Sequence, residues 1–178
     1  NTKTLRRDNG TAITYNYTVN SVASNRLQTL TGGLTGTYTY DVNGNAKTDR
    51  TGMSFTYNHL NLPQSATKSG TSVTYLYDAT GAKLRKTAVV ASTTTVRDYI
   101  AGIEYNKVGT GAQAIEMIHT GEGYLQNSNG TYTYHYNLTD HLGNVRATLQ
   151  RTSATAGTVI QKHDYYPFRK SKALQLSG

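Results

Sequence analysis

The 178-residue sequence has no cysteine and no tryptophan, and only two prolines, two phenylalanines and two methionines. Without cysteine there are no disulfides and no thiolate metal ligands, a composition that suits an exported protein. No run of about 18 apolar residues occurs, so no span across a membrane is expected. Leucine and alanine are too sparse to build helical faces. Acidic residues are few: 10 Asp and Glu face 18 Lys and Arg, for a net charge of +8. The bases are scattered, at Arg6, Arg7, Lys47, Arg50, Lys83, Arg85 and Lys86. Only Arg169, Lys170 and Lys172 cluster. A nucleic-acid binder needs one basic face on a recognisable module, so no nucleic-acid partner is expected. The sequence opens at Asn1-Thr2-Lys3 with no methionine and reads as a fragment or a processed product.

Tyrosine and glycine are plentiful, at 15 and 17 residues. Tyrosine and threonine favour strands. The chain is organised around the stretch from Tyr132 to Arg146. Tyr132, Tyr134 and Tyr136 share one face of an extended strand, with Thr131, Thr133 and His135 on the other. Asp140-His141-Leu142-Gly143 then supplies turn chemistry. An Asp at the first position accepts backbone N–H bonds, and a Gly at the fourth takes the positive φ of the exit.

The unit recurs. Tyr38-Thr39-Tyr40-Asp41-Val42-Asn43-Gly44 and Tyr75-Leu76-Tyr77-Asp78-Ala79-Thr80-Gly81 have the Tyr-x-Tyr-Asp-x-x-Gly form. Phe55-Thr56-Tyr57-Asn58-His59-Leu60-Asn61 is a softened copy, and Tyr15-Asn16-Tyr17 opens a more degenerate one. The second tyrosines fall at 17, 40, 57 and 77, so the steps of 23, 17 and 20 residues match one strand-turn-strand unit. Strands are expected over 11–19, 26–30, 36–41, 46–50, 53–58, 62–68, 72–77, 83–90, 112–120, 124–126, 131–137, 144–150 and 158–166, with extended structure over 96–105. Pro63 should start a strand or lie at an edge, and 91–95 reads as a loop. Residues 112–120 suit a helix or a buried strand by pattern, and the neighbours favour strand. The tyrosine face is expected to pack and the Thr, Asn and Ser face to be wet.

These residues resemble the tyrosine-aspartate (YD) repeats of the Rhs family. The ordered set Asp98-Tyr99-Ile100-Ala101-Gly102-Ile103-Glu104-Tyr105, Glu122-Gly123-Tyr124, Asp140–Arg146 and Tyr165-Tyr166-Pro167-Phe168 is similar to the Bacteroidetes-like Rhs repeat-associated core. The resemblance implies an all-β protein: antiparallel YD-repeat hairpins stacked into a β-solenoid or spiral sheet, part of a hollow shell. It divides the chain into YD repeats over 1–95, a core over 96–168 and a basic, disordered or truncated tail over 169–178, in one continuous β structure. The implied function is structural: a shell segment that encapsulates or presents an attached polypeptide of polymorphic-toxin type, exported to the bacterial surface or beyond. The alternative is an extracellular module for adhesion, glycan binding or fibre assembly. Partners would be the rest of the parent chain and shell, a C-terminal toxin or cargo, copies of itself through strand edges, or a glycan.

No enzyme chemistry is expected. Asp140, His141 and Arg146 bring an acid, a base and a cation together, but around a turn that backbone geometry explains. Catalysis would need a nucleophile and base held within hydrogen-bond reach. Asp41-Val42-Asn43-Gly44-Asn45 fails as an EF-hand loop, since Gly is fourth and Gly52 holds the twelfth place. His119, His135, His141 and His163 share no metal-site spacing. Rhs cores of toxin type commonly end at an Asp-Pro-x-Gly self-cleavage motif, and no Asp-Pro occurs here. No catalytic, cofactor or metal residue is therefore assigned. The residues singled out are the repeat and turn positions Tyr38, Tyr40, Asp41, Gly44, Tyr75, Tyr77, Asp78, Gly81, Tyr134, Tyr136, Asp140, Gly143 and Arg146.

Overall fold

The computed structural model describes residues 3–6, 9–19, 22–165 and 171–174. Among these there is no helix, and the paired strands are antiparallel. The chain divides into two compact units, Asn1–Val96 and Arg97–Gly178.

The first unit opens with β1 (Thr4–Leu5), β2 (Ile13–Asn16), β3 (Thr18–Val19), β4 (Val22–Ala23), β5 (Thr29–Gly32) and β6 (Gly36–Thr37). They form a sheet of order β1-β2-β5-β6 and a separate β3-β4 hairpin. The stretch 11–19, expected as one strand, divides at Tyr17. The stretch 36–41 divides at Tyr38, whose amide donates to the Gln28 carbonyl at 2.9 Å. The chain then enters a second sheet. Its strands are β7 (Thr39–Tyr40), β8 (Ala46–Thr48), β9 (Ser54–Tyr57), β10 (Pro63–Lys68), β11 (Thr71–Tyr77) and β12 (Lys83–Val90), paired in sequence order. Pro63 does start a strand. The loop expected over 91–95 is only a tight turn, with Ala91 at φ 54° and the next strand starting at Thr93.

That strand, β13 (Thr93–Ile100), carries the chain over the boundary. The second unit continues with β14 (Ile103–Val108), β15 (Ala114–Thr120), β16 (Gly123–Ser128), β17 (Thr131–Thr139), β18 (Val145–Arg151), β19 (Gly157–Tyr165) and β20 (Ser171–Leu174), again in sequence order. The ambiguous window at 112–120 is strand. In the region read as a disordered or truncated tail, β20 pairs with β19, from Lys162↔Leu174 to Tyr165↔Ser171. Strand β19 is therefore not a free edge. Tyr166, Pro167 and Phe168 lie outside the described residues.

Very little is buried. Among the described residues, Leu30 and Ala66 are the buried apolar ones, and Asp98, His135 and Thr148 the buried polar ones. In the first unit, direct cross-strand partners form an apolar row, Phe55–Ala66–Val73–Ala88. Tyr57, Tyr75 and Tyr77 share that face by the period of two. The second unit departs from expectation. In β17, Tyr132 and Tyr134 are 39% and 41% exposed while His135 is 6% exposed. His135 stacks on Tyr124, its directly paired neighbour, with ring centroids 4.6 Å apart. Here Tyr132 and Tyr134 are wet, Tyr136 on the same face is half-buried, and the histidine face is packed.

Backbones also approach closely at one point in this unit. A Cβ on Gly123, at φ 159°, would lie 2.1 Å from the His135 carbonyl oxygen. Gly123→Ala should therefore lower stability by more than about 1 kcal/mol, read as a fall in melting temperature. An unchanged melting temperature would mean that β16 and β17 are not in this register.

Candidate functional site: a repeated turn, bulge and tyrosine hydroxyl

The geometry that recurs along the chain is a three-residue hairpin loop. At Asp41 the backbone N–H donates to the Asn45 carbonyl at 2.9 Å, and the Gly44 N–H donates back to the Asp41 carbonyl at 3.1 Å. Gly44 sits at φ 91°. The carboxylate of Asp41 accepts the Asn45 N–H at 2.8 Å and the Asn45 Nδ2 at 3.0 Å. Successive N–H groups thus converge on the side chain that opens the turn, an anion-binding concavity filled from within.

Asp78 repeats this with Thr80 N, Thr80 Oγ1 and Ala82 N as donors, and Gly81 at φ 90°. Asp140 repeats it with Leu142 N, Asn144 N and Asn144 Nδ2, and Gly143 at φ 76°. Asn58, the softened copy, makes the same turn: its Oδ1 accepts from Leu60 N and Leu62 N, and Asn61 takes φ 58° in place of glycine. A further copy is Asp49-Arg50-Thr51-Gly52, an Asp-x-x-Gly turn with no Tyr-x-Tyr before it. Asp49 Oδ1 accepts from Thr51 N, Thr51 Oγ1 and Met53 N, and the strand expected over 46–50 ends at Thr48 to make room.

These bonds favour the ionised carboxylates. The Asn45 amide holds Asp41 below the ordinary value of 3.8, the Thr80 hydroxyl does so for Asp78, and the Asn144 amide for Asp140. At Asp49 partial burial pushes upward, but the bonds from Thr51 and Met53 outweigh it.

After four of the turns the returning strand carries a bulge at one fixed place. Tyr40 pairs with Ala46 and Thr39 with Thr48, so Lys47 is left without a partner in the register. Gln64, Leu84 and Arg146 are skipped in the same way. Each lies six residues after the Asp or Asn that opens its turn. A bulge bends the strand and strengthens its twist.

The residue before the bulge is where the tyrosines reach. The hydroxyl of Tyr57 donates to the Ala46 carbonyl at 2.8 Å, that of Tyr77 to Pro63 at 3.0 Å and that of Tyr165 to Val145 at 2.7 Å. Each acceptor lies five residues after an earlier turn's first residue. Tyr40 makes the comparable bond to Leu27 at 2.7 Å. Burial raises the hydroxyl pKa of Tyr40, Tyr57 and Tyr77. So Tyr57, before Asn58, and Tyr77, before Asp78, tie their strands to the bulge after an earlier turn, and Tyr165 does the same from a strand with no Asp or Asn after it. Asparagine adds a second tie, as Asn61 Oδ1 accepts from both Asn43 Nδ2 and Asn45 Nδ2.

The remaining sequence-derived residues fall into place around this. Tyr75 lies tilted against Tyr77 with Lys83 over its ring, and Tyr134 stacks on Tyr136 with Arg151 over Tyr134. Tyr38 bonds through its backbone, as above. Arg146, at its bulge, meets Asp164 at 3.2 Å and lies over Tyr165. Asp140 is committed to its turn and Arg146 to Asp164, and of the other two only His141 bears on Asp140, through its charge. A cluster that no sequence spacing marked lies on β13–β15. Arg97 bonds Glu104 at 3.1 Å and Glu116 at 2.5 Å, and Glu104 bonds His119 Nε2 at 2.7 Å. A register shift between Glu104 and Tyr105 leaves Glu116 unpaired and beside Arg97. Among the described residues no three His, Cys, Asp or Glu side chains could hold a metal ion, and no helix is long and apolar enough to cross a membrane. No family model matches the chain, and no curated protein matches it.

Two expectations follow. A carboxylate held below its ordinary value contributes stability above about pH 4 and loses it as pH falls through its folded value. Asp78→Ala and Asp140→Ala should therefore melt at lower temperature than the parent near pH 7, and the gap should close toward about pH 2. A gap that persists in acid would assign the effect to something other than the carboxylates. Separately, Tyr57→Phe and Tyr165→Phe should each lose about 1 kcal/mol, because the hydroxyl's partner carbonyl is left unpaired. Chemical denaturation reads this directly, and no loss in either variant would remove the hydroxyl from the account.

Proposed function

We propose that the chain is a wall segment of an Rhs-type YD-repeat shell, exported from a bacterial cell, that encloses or presents a polypeptide attached to the same parent chain. The observation that carries this reading is the repeated tie between tyrosine, bulge and turn on sheets with almost no core. Such a sheet gains stability from its neighbours along the strand order, as repeat arrays do, rather than from an interior. A wall one sheet thick suits that construction. The reading assigns the chain no chemical step. Its outer strands would pair with the rest of the parent protein or with further copies, since open strand edges recruit partners.

Electron microscopy of the parent protein, with protease digestion, tests the proposal. Closed particles should appear, and the attached segment should resist protease until the wall is breached. Extended filaments with every segment equally digestible would overturn it. The adhesive alternative has one observation in its favour: Tyr132 and Tyr134 are exposed on one face of β17, with Arg151 over Tyr134. Glycan-array binding that disappears in Tyr134→Ala would support that alternative instead.

A further inference from the structure

The face of the first unit opposite its tyrosines is patterned in serine and threonine. Following direct cross-strand partners, one row runs Thr39–Thr48–Ser54–Thr67–Ser72 across β7 to β11. A second runs Thr56–Ser65–Thr74–Thr87 across β9 to β12. Every position in both rows is a serine or threonine, and every one is exposed or half-buried. The rows lie two residues apart along each shared strand. The hydroxyls therefore form a two-dimensional grid, spaced by about 4.8 Å across strands and about 6.7 Å along them. Two cross-strand bonds fix neighbours within it, Thr39 Oγ1 to Thr48 Oγ1 and Thr56 Oγ1 to Ser65 Oγ, each at 2.7 Å.

The chemistry of the grid narrows what can bind there. Neither row holds a charge, and Arg85, two residues from Thr87, stands only at the margin of the face, so a phosphate backbone would meet neutral hydroxyls alone. The grid holds no ring, since the aromatic residues of these strands lie on the opposite face, so it lacks the platform on which a sugar stacks. It holds hydroxyls that both donate and accept, at regular spacing, with threonine methyls between them. A ligand that matches a periodic donor–acceptor lattice of this kind is itself a lattice of donors and acceptors. The repeats of the grid are of the same order as the oxygen repeats on the faces of ice. Bonded neighbours also hold side chains in place before binding, which lowers the ordering cost.

We propose that this hydroxyl face binds ordered water and adsorbs to ice. The site is independent of whether the chain belongs to a shell, and it needs only the first unit's register.

The test uses the chain with a fluorescent label, frozen slowly onto a cold finger, together with inhibition of ice recrystallisation. The labelled chain should enter the growing ice and keep ice grains small. Thr74→Tyr, at the centre of the second row on an exposed position, should abolish both effects while its far-ultraviolet circular dichroism and melting temperature stay unchanged. Thr56→Tyr provides a second variant should the first fail to fold, and Val42→Ala, at an exposed turn tip, should behave like the parent. Exclusion of the parent chain from ice would overturn the proposal. So would full activity in both folded tyrosine variants. Capture on crystalline cellulose or chitin without entry into ice would assign the grid to a polysaccharide surface and overturn it equally.

Discussion

The interaction on which the rest depends is the bond between a turn's own side chain and the turn's backbone. A sheet without a covering layer exposes its N–H and C=O groups wherever a strand stops, and each must find a partner. Asp41, Asp49, Asn58, Asp78 and Asp140 supply one from the first residue of the loop. The αL exit that follows, glycine at four turns and Asn61 at the fifth, sets the start of the returning strand. Bulges at Lys47, Gln64, Leu84 and Arg146 then come at a constant distance from it. The tyrosine hydroxyls use the carbonyl beside the bulge at Ala46, Pro63 and Val145. One short motif thus specifies a turn, a bend and a tie to a neighbouring hairpin.

The two units stabilise their sheets by different means. The first separates its faces, with Ala66 buried between Phe55 and Val73 on one and hydroxyls on the other. The second packs polar groups. His135 lies flat on Tyr124, Thr148 donates to Asn137 Oδ1 at 3.1 Å, and Arg97 sits between Glu104 and Glu116. Partly exposed ion pairs contribute little each, so the value of this network lies in satisfying groups that strand pairing brings together.

Much of this was legible in particular residues. Asp-x-x-Gly after a Tyr-x-Tyr marked the turns at 41, 78 and 140, and Asn58 followed as a weaker copy because Asn accepts the same bonds and Asn61 tolerates αL. Asp49 carries the same signal without tyrosines before it, which hides it from a search for the Tyr-x-Tyr unit. The bulges were not legible, because nothing in the residue types at Lys47, Gln64, Leu84 and Arg146 is shared. Nor was the strand at Ser171–Leu174, whose basic residues suggested an unstructured tail until pairing with β19 satisfied its backbone.

The sequence by itself determined the β class, the alternation of faces and the places where the chain turns. Those properties depend on residues within a few positions of each other: β-forming side chains at a period of two, and short polar side chains that bond their own loop. Tertiary structure decided which face is covered, since alternation defines two faces but does not say which one meets a neighbour. At His135 the histidine side was covered and Tyr132 and Tyr134 were left in water. It also decided which hydroxyl meets which carbonyl, and which serines and threonines line up. Those depend on register between strands many residues apart, and a shift of one residue exchanges every side chain between the faces.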